Sequence, residues 1–233
     1  MNLNLRSTAI RLILPLALLA GFAVGPTSAQ EAAPAPAVEK GQPHMGDVDV
    51  ERSRVYIFVG KTGFGHEHGV VGRLKGGSIL LGAKQNAGQL EFDLTSFQAD
   101  TRDARHYVRL NGESDSSTRE QVTANMLGKY VLDVEQYPTA TFVIDSAVPL
   151  KKTRPNSPRY VQLDGQFTLH GATRPLRVMA QASPESGSVR LRGSFTMLQT
   201  DYSIKPFTKA LGAVGVTDKL KVYGDIVLVA AQK

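Results

Sequence analysis

The amino-acid sequence predicts an all-β fold, a barrel or sandwich of short antiparallel strands interrupted by one helix. Short stretches of alternating apolar and polar residues recur along the chain with turn residues between them, which is typical of this fold class. The clearest stretch is 161–169, where Leu163, Phe167 and Leu169 alternate with polar residues and Gly171 follows as a bend. We therefore expect a β-hairpin here, with one strand face turned toward an apolar interior.

Eight segments have this alternation, which is a number of strands that closes a small barrel. Each segment offers one face to the interior and one to water. Pro175 has no N–H to donate to a sheet, so we expect it at the first position of the strand that returns from the hairpin. The predicted strands span 54–60, 70–81, 89–97, 139–150, 160–170, 176–183, 189–199 and 219–229.

One segment breaks the strand pattern and predicts a short helix. Residues 117–120 have the sequence of a capping box, Val122 and Met126 lie four residues apart, and Gly128 is a stop signal. The apolar side of such a helix needs a partner. We expect it to cap one end of the barrel, with Val122, Met126 and Leu127 turned toward the interior.

The N-terminal region predicts export. Residues 1–29 have the three parts of a secretory signal peptide: basic residues near the start, an apolar run, and small residues at 27–29 as a cleavage site. We expect a periplasmic or otherwise secreted protein, with an uncleaved N-terminal anchor as the alternative. Residues 30–46 are rich in Ala and Pro and predict a flexible linker. The folded domain then occupies 47–233.

The composition argues against several classes of protein. The sequence contains no cysteine, so it offers no disulfide framework, lipidated cysteine or thiolate. Its formal net charge of +6 is spread thinly, without a run of basic and aromatic residues, and we expect no nucleic-acid partner. This charge is compatible with weak peripheral contact with anionic membrane lipids at most.

The hairpin also resembles a known family. The sequence Phe167-Thr-Leu-His-Gly-Ala-Thr-Arg-Pro-Leu176 is similar to the hairpin signature of the YceI-like family of secreted lipid-binding proteins. Segments 72–79, 126–142 and 215–222 are similar to other parts of the family pattern, in the same order. At 201–203 this chain has Asp-Tyr-Ser where the family commonly has Asp, an aromatic residue and Gly.

The resemblance implies an extended, eight-stranded antiparallel barrel of lipocalin-like shape whose lumen takes an isoprenoid or other amphiphilic lipid. It implies a binding protein rather than an enzyme, with no cofactor besides the bound lipid. The sequence has no Gly-x-Ser-x-Gly elbow, phosphate-binding glycine loop or helical His-Glu-x-x-His to indicate catalysis. The edge between the first and last strands is a place where a second copy could pair, which makes a homodimer one expectation.

The candidate ligand-binding residues are aromatic and methionine side chains that we assign to inward faces. Flexible methionines and large aromatic rings suit an adaptable apolar pocket. Alternation alone does not distinguish the lining of a lumen from ordinary core packing, so both interpretations stay open. The candidates are Phe58, Phe92, Phe142, Phe167, Met179, Phe195 and Met197.

A second candidate site contains His66 and His68. Two histidines two residues apart on an extended segment project to the same side, a spacing used by zinc and copper sites. A third ligand would come from Asp100, Asp103 or His106, which lie in a stretch of mixed charge that we expect to be a solvated loop. We favour imidazoles at the barrel rim near a polar head group over a metal centre.

Three functional hypotheses follow. The first is a secreted barrel that binds, sequesters or transports an isoprenoid-like lipid, driven by burial of apolar surface. The second is a metal-binding protein or metalloenzyme centred on the His-x-His pair. The third is an envelope stress or interaction protein whose barrel is filled and holds no ligand. Lumen volume and metal content distinguish them.

Overall fold

Ten strands and two short α-helices form the part of the protein that the structure describes. The computed structural model describes residues 46–151, 154 and 157–229, so the predicted signal peptide and all but the last residue of the predicted linker lie outside it. The strands are β1 (Asp47–Val48), β2 (Arg54–Gly63), β3 (His68–Ile79), β4 (Gly88–Ala99), β5 (Thr139–Pro149), β6 (Arg159–Leu169), β7 (Ala172–Glu185), β8 (Ser188–Leu198), β9 (Thr208–Lys209) and β10 (Val214–Val229), and the helices are α1 (Arg102–Tyr107) and α2 (Ser116–Leu127).

Eight of these strands close into an antiparallel barrel. Neighbours in the chain pair from β2 through β8, and β10 completes the ring by pairing with both β8 and β2. The two-residue strands β1 and β9 add to β10 at its two ends. The predicted fold class is confirmed. The first and last barrel strands, β2 and β10, pair with each other, so that edge is occupied. The homodimer stays a prediction.

The predicted hairpin joins β6 to β7. Leu169 pairs with Ala172, and the two residues between them, His170 and Gly171, have φ angles of 50° and 74°. Two successive left-handed residues form the type I′ turn, whose twist matches that of a hairpin. The ring of His170 packs against Tyr137, with 4.4 Å between the ring centroids. His170 therefore has a structural position at the turn.

Strands β7 and β8 are paired over only part of their lengths. Their pairing ends at Ala180 and Gly193, and residues 172–179 of β7 pair with β6 alone. Pro175 lies in this half, three residues after the strand begins at Ala172, so the prediction of a first position was wrong. Hydrogen-bonded and non-bonded pairs alternate from the turn, which places the missing N–H on the side away from β6. The unpaired edge tolerates the proline for that reason.

Helix α2 lies across the barrel end that also contains the β6–β7 hairpin. Its N-cap is Asp115, whose carboxylate accepts a hydrogen bond from the Thr118 N–H at 2.9 Å. The capping box predicted at 117–120 was therefore two residues late, although the helix ends before Gly128 as expected. Among the described residues, no helix combines the length and apolar character that crossing a bilayer requires.

Helix α1 replaces the solvated loop predicted after β4. Thr101 caps it by accepting a hydrogen bond from the Ala104 N–H at 3.1 Å, and Ala104 is buried. Tyr107 at its last turn stacks on Tyr56 of β2, with ring centroids 3.7 Å apart and planes 7° apart. The mixed charges of this stretch led to the prediction of a loop. The features that make it a helix are the N-cap Thr101 and the side chains of Ala104 and Tyr107, which pack α1 against the barrel wall.

Candidate ligand-binding site

The inward faces of the strands enclose a large cavity. Of the 36 described residues that line it, three have polar side chains: His68, Asn125 and Gln199. The centre of a water-sized sphere can move through about 240 Å³ of this space. About 10–15 Å³ on that measure holds one water molecule. The barrel therefore has an apolar lumen. The volume of this lumen disagrees with the hypothesis that side chains fill the barrel.

Five of the seven predicted site residues line this cavity. Phe167 is central among them, because its ring makes edge-to-face contacts with two of the others and with Tyr202, at centroid separations of 5.7 to 6.2 Å. Such contacts hold the rings in fixed orientations around the lumen. The five are Phe92, Phe142, Phe167, Phe195 and Met197.

The other two predicted residues, Phe58 and Met179, are on the wrong face. In β2 the neighbours Ile57 and Val59 line the cavity, so Phe58 belongs to the opposite face. Met179 is 54% exposed, whereas its neighbour Val178 lines the cavity. Both segments have apolar residues on the two faces, and a shift of one residue in the assignment exchanges inside for outside.

Most of the lining is aliphatic and was not singled out from the sequence. Leu90, Leu163 and Ile226 are examples of this aliphatic lining. The signal was present in the period-2 alternation of each strand, which marks every inward position and not only the large ones. Val122 and Met126 of α2 also line the cavity, as predicted, so this helix closes the lumen at its own end.

The three polar lining residues all lie at the end closed by α2. His68 is the first residue of β3, Gln199 follows the last residue of β8, and Asn125 is on α2 itself. The antiparallel order brings these strand ends to one side of the barrel. The opposite end is lined by apolar residues such as Ile79 and Ile226. The cavity is therefore apolar over most of its length and polar at one end.

His68 is held by a buried carboxylate. Its Nδ1 atom lies 2.6 Å from Oδ2 of Asp100, whose side chain is 1% exposed. The other carboxylate oxygen accepts hydrogen bonds from the Gly69 N–H at 3.1 Å and from Nη1 of Arg105 at 3.0 Å. Two features of the backbone place Asp100 there. Its N–H donates a hydrogen bond to the Gly69 carbonyl, and its own φ angle of 53° is left-handed.

The same contacts decide the charge of Asp100. Burial raises the pKa of this carboxyl group, but hydrogen bonds from His68, Gly69 and Arg105 lower it more. The net effect is a pKa below the ordinary value of an aspartate. The group is consequently an ionised acceptor of hydrogen bonds near neutral pH.

The predicted histidine pair does not assemble. His66 lies exposed in the turn between β2 and β3, and His68 alone reaches the cavity. His106 and Asp103 are exposed on α1, while Asp100 meets His68 through a hydrogen bond. Within the described part of the chain, no three His, Cys, Asp or Glu side chains are grouped so that they could hold a metal ion. The shared orientation expected for the pair was wrong because β3 begins only at His68.

A closed antiparallel barrel with an apolar lumen and one polar end defines a ligand-binding β-barrel. The sequence pattern of the YceI-like domain matches residues 47–228 of this chain. The protein therefore belongs to the YceI-like family, and the resemblance drawn from the hairpin and three other segments is confirmed. No curated protein matches the chain at a significant level.

Three solved structures are similar to this chain. A polyisoprenoid binding domain from Saccharophagus degradans, implicated in plant cell wall breakdown, has a TM-score of 0.54 at 14% identity over 80% of this chain and 99% of that one. BcnA of Burkholderia cenocepacia gives a TM-score of 0.48 at 15% identity, over 77% and 98% of the two chains. The YceI protein of Campylobacter jejuni gives 0.42 at 11%, over 70% and 84%.

Proposed function

We propose that this protein binds an isoprenoid-like or other amphiphilic lipid in the lumen of its barrel, for sequestration or transport, and that it is not an enzyme. The observation that carries the proposal is the cavity, which is apolar along its length and polar at one end. Each 100 Å² of apolar ligand surface that leaves water contributes about 2.5 kcal/mol. Binding by burial needs no covalent chemistry and no further cofactor.

The kind of lipid is suggested by the fold. The Saccharophagus degradans domain, whose barrel this chain shares, is described as polyisoprenoid binding. An isoprenoid chain is flexible, methyl-branched and wholly apolar. Such a chain matches a wall of Val, Leu and Ile with the adaptable side chains of Met126 and Met197.

The ligand would lie with its head group toward α2 and its chain toward the far end. His68 lines the cavity at the polar end, and His66 lies two residues away in an exposed turn. At the far end, Ile79 and Ile226 offer no polar partner. A head group placed there would lose its hydrogen bonds to water without replacement.

The proposed location is the periplasm or the exterior of the cell. The support is the signal-peptide pattern of residues 1–29 and the Ala/Pro-rich segment that follows it. In that location the protein would meet lipids at a membrane surface, with its positive charge providing weak contact with anionic head groups at most.

Native mass spectrometry of untagged protein, purified from its own cellular compartment, tests the proposal. We expect one copy of a lipid per barrel, released by organic solvent and identified as a long apolar chain with a small polar head. Metal analysis of the same sample tests the metal alternative. Protein with no bound lipid that also takes up none from lipid extracts would contradict the proposal, whereas stoichiometric metal would favour the alternative.

A further inference from the structure

We infer that Asp100 fixes His68 as a hydrogen-bond acceptor toward the cavity, and that this pair selects lipids whose polar end carries a hydroxyl group. The inference rests on the proposed function, because it takes an amphiphilic lipid to occupy the lumen. It adds the chemistry of the head group, which neither the shape nor the apolar lining of the cavity specifies.

The contacts of Asp100 locate the proton on the imidazole of His68. The Asp100 carboxylate is an acceptor of hydrogen bonds, and it already takes one from the Gly69 N–H and one from Arg105. An ionised carboxylate has no proton to give. The 2.6 Å contact with His68 is therefore a hydrogen bond in which Nδ1–H donates. Asp100 thus acts as a positioning residue that fixes the tautomer and the orientation of the ring.

The other ring nitrogen of His68, Nε2, does not contact Asp100. The ring of His68 lines the cavity, and the hydrogen bond to Asp100 is the one its side chain makes within the described part of the protein. Because Nδ1 carries the proton, Nε2 of the neutral ring presents a lone pair. A hydrogen-bond donor at the polar end of the lumen would satisfy this lone pair.

The charges next to His68 balance each other. Asp100 and Arg105 carry opposite charges 3.0 Å apart, so together they are neutral. A protonated His68 would add an uncompensated positive charge beside an apolar cavity, which costs free energy. The neutral ring avoids this cost. A hydroxyl head group supplies the required donor, whereas an ether, a ketone or a phosphate dianion brings only lone pairs to meet Nε2.

The experiment compares three probes that have the same farnesyl chain and differ in the head group: farnesol, farnesyl methyl ether and farnesyl phosphate. Their affinities for delipidated protein are measured by isothermal titration calorimetry. We expect farnesol to bind about tenfold more tightly than the ether, the size of effect produced by one buried hydrogen bond. Farnesyl phosphate should bind no more tightly than farnesol. The variant His68→Phe should bind both neutral probes with similar affinity, while the control His66→Phe should keep the preference.

The variant Asp100→Asn gives the sharper test. Its amide can donate to Nδ1, which moves the ring proton to Nε2 and turns that atom from an acceptor into a donor. The preference for farnesol should then be lost, so that the ether binds about as tightly as farnesol, because the oxygen of either probe can accept a hydrogen bond from Nε2–H. A carboxylate with only a structural role would weaken both probes by the same factor. This variant also serves if His68→Phe does not fold.

Three outcomes would overturn the inference. Equal affinity of the wild-type protein for farnesol and its ether would show that His68 does not distinguish the two head groups. That result would not contradict the proposed function. Tightest binding of the phosphate, lost in His68→Phe, would show a protonated ring. Failure of all three probes to bind would contradict the inference and the proposed function together.

Discussion

The Nη1 atom of Arg105 lies 3.0 Å from Oδ1 of Asp100, and the two side chains are only 15% and 1% exposed. Arg105 also donates from Nε to the Gly112 carbonyl at 2.9 Å and from Nη2 to the Asn111 carbonyl at 2.5 Å. One side chain therefore ties the loop after α1 to the carboxylate that holds His68. This arrangement connects the stability of the polar end to the ionisation of Asp100.

Acid should weaken the wild-type protein through this group. The pKa of Asp100 is lower in the folded than in the unfolded chain, so its contribution to stability is present above the unfolded value and is lost as the pH falls through the folded value. We expect Asp100→Asn to be less stable at pH 7 by about 3 kcal/mol, because it leaves the largely buried guanidinium of Arg105 without its counterion. The difference in the free energy of unfolding between the wild-type protein and the variant should narrow below about pH 4. Denaturant unfolding across pH 3 to 7 measures it, and a constant difference would contradict the pKa assignment.

The assignment of inner and outer faces can be tested with one substitution at two positions. Phe142 is 4% exposed and lines the lumen, so Phe142→Asp should cost more than about 4 kcal/mol by emptying the site and burying a carboxylate. Met179→Asp, on the outer face at 54% exposure, should change stability by less than about 1 kcal/mol. Similar losses in the two variants, measured by urea unfolding, would show that the faces are wrongly assigned.

The strands could be predicted because alternation is a local property. Where the alternation was clean, as at Leu163, Phe167 and Leu169, the predicted face was right, and the three residues are buried. Where both faces carry apolar residues, around Phe58 and Met179, the sequence does not say which set points inward. Only the pairing of neighbouring strands decides that question.

The contacts at the polar end of the cavity depend on the register between strands, and the sequence alone did not predict them. Asp100 was considered as a partner for the histidines, but as a metal ligand. Its actual contact with His68 arises because Val70 pairs with Ala99, which brings together residues that are 32 positions apart in the chain. No local pattern encodes that register. The contacts of Arg105 could not be predicted for the same reason, since its partners surround it only after α1 has packed on the barrel.

The stacking of Tyr107 on Tyr56 should hold α1 against the barrel wall. Tyr107 also makes an edge contact with Tyr223 at 5.9 Å, so Tyr107→Ala removes two aromatic contacts at once. We expect a loss of about 1–3 kcal/mol, with faster amide hydrogen exchange in α1 and around Asp100. Tyr107→Phe keeps the rings and should stay near the wild type. Unchanged exchange in the alanine variant would show that the helix docks without the stack.

Ser203 has φ 59° and ψ 18°, a left-handed conformation in which a side chain strains the backbone. The family commonly has glycine at this turn, which also fixes Tyr202, a buried ring in edge contact with Phe167. Ser203→Gly should raise the free energy of unfolding by about 0.5–1 kcal/mol, since relief of the strain exceeds the entropy that glycine adds to the unfolded chain.

Ser194 provides the matched control for this substitution. It lies in β8 opposite Tyr223, where the backbone is extended and a side chain costs nothing. Ser194→Gly should therefore lower the free energy of unfolding by about 0.5–1 kcal/mol, because glycine in a strand has more freedom to lose. The two variants should move the thermal midpoint in opposite directions. If both lower it by the same amount, the left-handed turn at Ser203 stores no strain, and the glycine common in the family must serve another purpose there.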